Sequence, residues 1–277
     1  MENLTFQSKR ELNNKVKIPV MGFGVAEIAE DLPTQVKILR EAIETGYRMF
    51  DTAQIYRSER ALGIAIKESG IPRQEFFIST KIFEQQRYNR TTESVFESLR
   101  KMGIEYLDRF VLHWPIAGRY IQSYKEMEKL YYSGIIRSLG VSNFEIWHIR
   151  NLLVHCNVIP VTNQVEFNPT YTCIEQRKFC EKLGIQMEAY TPIGRGGRFL
   201  NTEPLVTIAN KYKKSVPQII LRWDIQHNVI PVPRSGRRVH MEQNADIFDF
   251  QLDRDDMKLI DGMNCDDRRN RNPYTTE

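Results

Sequence analysis

The sequence contains no apolar run that approaches the ~18 residues of a membrane span, and its N-terminus lacks the apolar core of a signal peptide. These two absences predict a cytoplasmic protein with no membrane partner. The chain of 277 residues is long enough for a substantial core, because a domain of this size buries roughly 75% of its unfolded surface.

Cysteine is scarce and shows no pattern. Cys156, Cys173, Cys180 and Cys265 form no CxxC pair, and no histidine lies at zinc-ligand spacing from them. Cysteines used in this way in a reducing cytosol are usually free thiols. We therefore expect neither disulfides nor a metal site.

A strong charge of either sign is also absent, since the net charge is only +4. The densest basic run, residues 234–238, is too short for a nucleic-acid surface, although it could bind one phosphate. Nucleic acid is therefore not an expected partner.

The Rossmann dinucleotide fingerprint is incomplete. Gly22 and Gly24 match its first two glycines, but Glu27 occupies the place of the third. A dinucleotide would have to bind this chain without that motif.

Short apolar runs alternate with stretches of helical periodicity along most of the chain. Their spacing fits one strand and one helix each, with an extra helical segment before the last run. Eight such alternations favour an α/β protein with a (β/α)8 TIM barrel over an open sheet. The predicted strands are residues 20–24, 47–51, 76–80, 109–114, 136–143, 161–167, 185–190 and 229–233.

The ends of the chain frame this barrel. Residues 9–19 predict an N-terminal β-hairpin with Asn13 and Asn14 as its turn. No linker rich in Pro, Gly or Ser divides the chain, so residues 1–277 are predicted to form a single barrel domain. Within it, residues 1–8 are interpreted as a tag remnant or a flexible segment, and residues 262–277 as a C-terminal tail over the barrel mouth.

Polar residues follow the ends of three successive predicted strands. Asp51, Lys81 and His113 end or follow the second, third and fourth strands, and Tyr56 lies one loop beyond Asp51. Singly, Asp51 could be a helix cap, Lys81 a solvated loop charge and His113 a core histidine. Because a barrel gathers the carboxyl ends of its strands at one mouth, we expect all four side chains to converge on one small volume.

Such a set suits proton transfer to a carbonyl oxygen. A phenol, with a pKa of about 10, is a poor donor at neutral pH. The Lys81 ammonium would lower the pKa of Tyr56, and Asp51 would hold that ammonium in place. A neutral imidazole at His113 could orient the carbonyl. Since no residue here can supply a hydride, a hydride-carrying cofactor is implied.

Eight stretches resemble the aldo-keto reductase family, in the family's order and across nearly the whole chain. They are MGFG (21–24), GYRMFDTAQIYRSERALG (46–63), STK (79–81), LHWP (112–115), GVSNF (140–144), NQVEFNP (163–169), EAYTPIGRG (188–196) and IPVPRS (230–235). The length is similar to that of the compact bacterial and protozoan members. The resemblance implies reduction of aldehydes and ketones, with Tyr56 as the proton donor, Lys81 and Asp51 as the partners that tune its pKa, and His113 as the residue that orients the carbonyl.

The resemblance also implies a binding site for a nicotinamide cofactor. Tyr190 matches the residue that stacks on the nicotinamide ring, and Ser142, Asn143 and Gln164 match positions that hydrogen-bond its carboxamide. The other implied contacts are Gly24, Val25, Thr191, Pro192, Ile193, Gly194, Arg195, Gly196, Arg234, Ser235, Gly236, His240, Gln243 and Asn244.

The chain departs from the family pattern where the adenosine 2′-phosphate would bind. The family usually has Lys-Ser, an Arg five residues beyond the Ser, and then Glu-Asn, whereas this chain has Arg234-Ser235, His240 and Gln243-Asn244. Arg234 is a good phosphate ligand, but a neutral His240 would weaken the second contact. NADP(H) is therefore the expected cofactor, with more use of NAD(H) than is typical of the family.

The predicted substrate pocket departs from the family pattern as well. Ala26 and Phe83 are smaller than the aromatic residues common at their positions, whereas Trp114 is retained. A wider mouth, suited to a bulkier or flatter carbonyl substrate, is the expectation.

The leading prediction is an NAD(P)H-dependent oxidoreductase that acts as a monomer on a small-molecule carbonyl. The alternatives are a redox-sensing regulatory subunit on the same barrel, an enzyme that mainly oxidises alcohols with NAD, and a Schiff-base aldolase built on Lys81. The intact set of Asp51, Tyr56, Lys81 and His113 favours the reductase.

Overall fold

A two-stranded hairpin precedes the central sheet in the computed structural model of the chain, which describes residues 4–83 and 87–270. Strands β1 (Lys9–Glu11) and β2 (Lys17–Pro19) pair antiparallel. The amide of Lys15 donates to the carbonyl of Leu12 at 2.9 Å, which makes Asn13 and Asn14 the central residues of the turn. The predicted hairpin and its turn are confirmed.

Eight parallel strands form one sheet in the described part of the chain, in sequence order. Each predicted strand is confirmed, mostly with narrower bounds. The strands are β3 (Phe23–Gly24), β4 (Met49–Asp51), β5 (Phe77–Ile82), β6 (Arg109–Leu112), β7 (Leu139–Ser142), β8 (Thr162–Glu166), β9 (Gln186–Tyr190) and β10 (Ile230–Val232).

Hydrogen bonds between the first and last strands close this sheet into a barrel. The amide of Gly22 donates to the carbonyl of Pro231 at 3.0 Å, and the amide of Gly24 donates to the carbonyl of Pro233 at 2.9 Å. A Cβ at residue 24 would lie only 3.2 Å from the carbonyl oxygen of Val232, so glycine permits this close approach. The predicted (β/α)8 TIM barrel is confirmed.

Helices surround the barrel, and the sequence accounts for where they end. The first begins after Asp31, which accepts a hydrogen bond from the amide of Thr34, and ends at Gly46 in the left-handed conformation. Two helices, rather than one, separate β9 from β10, as predicted. The helices are α1 (Leu32–Thr45), α2 (Glu59–Glu68), α3 (Thr91–Met102), α4 (Tyr120–Tyr132), α5 (Ile146–His155), α6 (Ile174–Lys182), α7 (Glu203–Tyr212), α8 (Val216–Gln226), α9 (Arg238–Ala245) and α10 (Arg254–Asp261).

The hairpin closes the end of the barrel at which the strands begin. Leu12 and Ile18 pack there against Met49, Phe77 and Ile230, all of them buried. Burial of each such side chain contributes about 1.5–3 kcal/mol. Because this end is filled by apolar side chains, the polar groups inside the barrel reach open space at the opposite end, where the strands finish.

Candidate active site

A cavity of about 470 Å³ lies at the carboxyl ends of the strands. Its walls come from the ends of several strands and from the loops that follow them, which is where barrel enzymes bind their substrates. The lining residues are Gly24, Val25, Ala26, Glu27, Asp51, Ile55, Tyr56, Phe83, His113, Trp114, Asn143, Gln164, Tyr190, Thr191, Pro192, Ile193, Arg195, Gly196, Val232, Pro233, Arg234 and Asn270.

A short turn after β4 places Tyr56 in this cavity. Residues 54–56 form one turn of 3₁₀ helix, and the amide group of Gln54 anchors it by donating to the carbonyl of Ser94 at 2.8 Å and to the hydroxyl of Ser98 at 3.0 Å. The hydroxyl oxygen of Tyr56 lies 3.2 Å from Nε2 of His113, and the two rings meet edge to face. The phenol and the imidazole therefore present adjacent polar atoms to the cavity.

Lys81 lies behind the Tyr56 ring, with Nζ 5.4 Å from the ring centroid. Its ammonium is fully buried, pairs with Oδ2 of Asp51 and donates to the carbonyl of Thr52 at 3.1 Å. Burial lowers the pKa of Lys81, the Asp51 carboxylate opposes that change, and the positive charge of Arg109 adds to it. The structure thus gathers all four predicted catalytic residues at one end of the barrel.

The pKa of Tyr56 is raised, and the expectation that Lys81 lowers it is wrong for this structure. Burial is the main cause, and the negative charges of Asp51 and Glu27 add to the rise, whereas Arg195 opposes it. The ammonium of Lys81, which is paired with Asp51, does not reverse this rise. The phenol is accordingly protonated at neutral pH.

His113 is held neutral. Burial, followed by the positive charge of Lys81, places the pKa of His113 well below its usual range. Its Nδ1 atom is buried and has no hydrogen-bond partner among the described residues, and Phe83 packs against the ring edge to face. Nε2 is thus the ring nitrogen that faces Tyr56.

The predicted carboxamide-binding residues form one connected group. The hydroxyl of Ser142 donates to the carbonyl of Gln164 at 2.8 Å, and the amide nitrogen of Asn143 donates to the carbonyl of His113 at 3.0 Å. The hydroxyl of Tyr190 donates to Oδ1 of Asn143 at 2.7 Å. Asn143, Gln164 and Tyr190 line the cavity, whereas Ser142 lies behind them.

The loop after β9 forms one wall of the cavity. Thr191, Gly194, Arg195 and Gly196 have positive φ angles, which fold the loop tightly. Gly194 does not line the cavity, and a Cβ there would collide with the ring of Phe199 at 2.4 Å. The Thr191 hydroxyl is buried and has no hydrogen-bond partner among the described residues. A ligand group with a hydrogen-bonding atom would satisfy it.

Of the residues predicted at the adenosine end, Arg234 lines the cavity. Its guanidinium donates to the carbonyls of Ala26 at 2.7 Å and Glu27 at 3.1 Å. The others lie on the turn before α9 or on α9 itself, beyond the cavity wall, and they are Ser235, Gly236, His240, Gln243 and Asn244.

The described part of the C-terminal tail reaches the cavity through Asn270. The backbone amide of Asn270 donates to Glu166 at 2.9 Å, and its side-chain amide donates to the same carboxylate at 2.7 Å. Residues 271–277, and residues 1–3 at the other end of the chain, lie outside the described residues. Sequence reasoning missed Asn270 as a lining residue, because its position depends on a contact with β8.

Sequence reasoning also missed two charged residues inside the barrel. Arg109 in β6 and Glu188 in β9 are fully buried and pair with each other. Both lie in strands that were predicted as apolar runs. A charged residue in such a run is the signal that could have found them.

The geometry argues against a Schiff-base role for Lys81. Its amine does not line the cavity, and it is buried and paired with Asp51. A lysine nucleophile must approach a substrate carbonyl with a free amine.

A parallel barrel with an acid, a phenol, an ammonium and an imidazole at the carboxyl ends of its strands fits an oxidoreductase of the barrel class. The model of the Aldo/keto reductase family matches residues 20–264. The chain belongs to the aldo-keto reductase family.

Several relatives with named activities align over most of the chain. It is 43% identical to glyoxal reductase of Bacillus subtilis over 264 residues, with 95% of each protein covered. It is 38% identical to 9,11-endoperoxide prostaglandin H2 reductase of Trypanosoma cruzi, covering 93% of the chain and 92% of the relative. Methylglyoxal reductase of Escherichia coli O157:H7 is 32% identical, with 88% of each covered.

Solved structures of the family superimpose closely on this barrel. An aldo-keto reductase from a deep-sea metagenome library of the Medee basin has a TM-score of 0.89 at 35% identity, with 94% of this chain and 96% of that chain covered. An aldo-keto reductase of Bombyx mori in complex with NADP has a TM-score of 0.89 at 33% identity, with 94% of each chain covered.

Proposed function

We propose that this protein reduces aldehydes or ketones to alcohols with a nicotinamide cofactor, with NADPH preferred. The observation that carries the proposal is the Tyr56 hydroxyl, 3.2 Å from Nε2 of a neutral His113, with the buried pair of Lys81 and Asp51 behind it. The relatives named as carbonyl reductases and the NADP-bound relative support it.

The cavity has the groups that a nicotinamide cofactor requires. Gln164 and the unpaired hydroxyl of Thr191 offer hydrogen bonds, the Tyr190 ring offers a flat surface, and Arg234 offers a cation for a phosphate. When bound, the cofactor supplies the hydride that no side chain of this chain can supply.

Tyr56 is the proton donor in this proposal. Its phenol is protonated at neutral pH, and the carbonyl oxygen becomes basic enough to accept the proton as negative charge develops on it. Nε2 of His113, beside the phenol oxygen, would hold the carbonyl oxygen by a hydrogen bond.

Lys81 acts after the proton leaves Tyr56. The phenol then carries negative charge in a buried setting, where the nearby ammonium of Lys81 offsets part of the cost of that charge. Asp51 holds that ammonium beneath the ring. The four residues therefore form one proton-donating unit, although the resting pKa of Tyr56 is high.

The substrate is proposed to be a small-molecule carbonyl that enters between Ala26, Phe83 and Trp114. The hydroxyl of Tyr88 donates to the carbonyl of Trp114 at 2.7 Å and fixes that wall. The small side chain of Ala26 leaves room for a bulkier or flatter carbonyl. The glyoxal and methylglyoxal reductases make small dicarbonyls the first compounds to compare with aryl ketones.

A carbonyl panel with NADPH and NADH tests this function directly. We expect steady oxidation of NADPH with at least one small dicarbonyl or aryl ketone, and a lower kcat/KM with NADH. Absence of turnover with the whole panel, despite NADPH binding, would favour the redox-sensing alternative instead.

The cellular setting is proposed as cytoplasmic, with the protein a single-domain monomer. Among the described residues, none of the helices is long and apolar enough to cross a bilayer. Light scattering on the purified protein should give a mass near 32.6 kDa, and a doubled mass would refute the monomer.

A further inference from the structure

Arg109 stands in the centre of the barrel, where branched apolar side chains are usual. It is fully buried at the start of β6. Its guanidinium donates to the hydroxyls of Ser79 and Thr162, each at 3.0 Å. These two contacts fix the plane of the guanidinium and leave its other donors for carboxylates.

The remaining donors of Arg109 reach two carboxylates on opposite sides. Nη2 lies 3.3 Å from Oδ1 of Asp51, and Nη1 pairs with Oε1 of Glu188. Lys81 takes the other oxygen of Asp51. The Asp51 carboxylate is therefore held by a cation at each oxygen, which prevents its rotation.

Glu188 continues the chain of contacts on the other side. Its Oε2 accepts a hydrogen bond from the side-chain nitrogen of Gln164 at 2.9 Å. Because a carboxylate only accepts hydrogen bonds, the Gln164 nitrogen must face Glu188, and the Gln164 oxygen is left as the acceptor for a ligand. Glu188 thus decides which way the Gln164 amide points.

Glycine at residue 140 makes room for this arrangement. A Cβ there would lie 3.1 Å from Cδ of Arg109 and 2.7 Å from the Thr162 hydroxyl. The four charges of Lys81, Asp51, Arg109 and Glu188 sum to zero, so the buried set is balanced.

We propose that Arg109 is a positioning residue that couples the proton-donating half of the site to the half that holds the nicotinamide. It fixes Asp51, and through it Lys81, on one side, and Glu188, and through it Gln164, on the other. The inference rests on the proposed carbonyl reduction for the first half and on cofactor binding for the second.

The variant that tests this coupling is R109M/E188Q, which removes one charge of each sign and keeps both side-chain volumes similar. We expect it to fold, with NADPH affinity reduced about tenfold or more and kcat reduced up to about a hundredfold, because small displacements of positioned groups have such effects. The dissociation constant is measured by quenching of tryptophan fluorescence, and kcat by steady-state turnover.

The matched control is R73M. Arg73 pairs with Asp108 at 2.7 Å, both before their strands begin and thus at the end of the barrel away from the cavity. This variant should lower thermal stability, yet it should leave NADPH affinity and kcat within about twofold of the parent, because Arg73 contacts Phe76, Tyr106 and Asp108 and neither lines the cavity nor touches the partners of Arg109.

Single variants test the two halves of the proposed coupling separately. They also provide the test if the double variant does not fold. E188Q should weaken NADPH binding more than it lowers kcat, because the Gln164 amide can then turn. R109K should lower kcat, because an ammonium lacks the fork that spans two carboxylates. If R109M/E188Q folds and keeps both constants within about twofold of the parent, or if both single variants do so, the coupling role is refuted.

Failure of the proposed function would look different. A parent protein that binds NADPH but reduces no carbonyl would refute the reductase, while the NADPH affinities of the parent, E188Q and R109M/E188Q would still decide the coupling. A parent that binds no nicotinamide cofactor would overturn both.

Discussion

The hydroxyl oxygen of Tyr56 and Nε2 of His113 lie 3.2 Å apart at the mouth of the barrel. Burial keeps both groups uncharged at neutral pH, since it raises the pKa of Tyr56 and lowers that of His113. Two neutral, adjacent polar groups suit an uncharged carbonyl substrate. A site that used an anionic nucleophile would instead require one of these groups to be charged.

Replacement of Lys81 by Met should abolish turnover and destabilise the fold. Removing one partner of a buried ion pair usually costs about 3–5 kcal/mol, and we expect the lower end, about 3 kcal/mol, because Arg109 still pairs with Asp51. Urea unfolding measures the loss. In the control K178M, which breaks an exposed pair with Glu175, the loss should stay below about 1 kcal/mol. Equal losses in the two variants would contradict the account.

Replacement of Arg234 by Ala should raise KM for NADPH about tenfold and leave KM for NADH nearly unchanged. Hydrogen bonds to charged groups contribute about 1.5–3 kcal/mol, and Arg234 is the arginine of the basic run that reaches the cavity. NADH, which lacks the 2′-phosphate, serves as the control within the same variant. Equal effects on both cofactors would show that Arg234 only supports the loop at Ala26 and Glu27.

Asp224 lies outside the active site, and we expect it to make the stability of the protein depend on pH. It is fully buried in α8, and neither carboxylate oxygen has a hydrogen-bond partner among the described residues. Burial raises the pKa of Asp224 well above its usual range, with partial opposition from Arg177. A raised folded-state pKa means that stability is greatest at low pH and is lost as the pH rises through that value.

The replacement D224N should therefore stabilise the protein, and more at about pH 8 than at about pH 5. We expect a gain of about 1–3 kcal/mol at the higher pH, the usual cost of an unsatisfied buried polar group. Urea unfolding at the two pH values checks this. A gain independent of pH, or a loss at the higher pH, would show that Asp224 is not the group responsible.

The barrel and the meeting of Asp51, Tyr56, Lys81 and His113 could be predicted from the sequence because they follow from order and period. Strand ends of a parallel barrel gather at one mouth whatever the details of packing. Gln164 and Tyr190, which the resemblance to the family implied as cofactor contacts, also line the cavity.

Contacts between the interiors of different strands could not be predicted. Arg109 reaches Asp51 in β4 and Glu188 in β9. Whether these side chains meet depends on the stagger of the strands along the barrel axis, which the sequence pattern does not give. The expected direction of the Tyr56 pKa shift is wrong for a related reason. Burial of Tyr56 depends on neighbouring loops, which the strand pattern does not describe.

The central claim is that Tyr56 donates the proton, and the variant Y56F tests it most directly. A positioned general acid contributes about 10²–10⁴-fold, so kcat for carbonyl reduction should fall by at least about a hundredfold while the NADPH dissociation constant stays unchanged. The control Y124F removes a buried hydroxyl that donates to the carbonyl of Val158, away from the cavity, and should retain activity. Carbonyl reduction by Y56F at the rate of the parent protein would contradict the account.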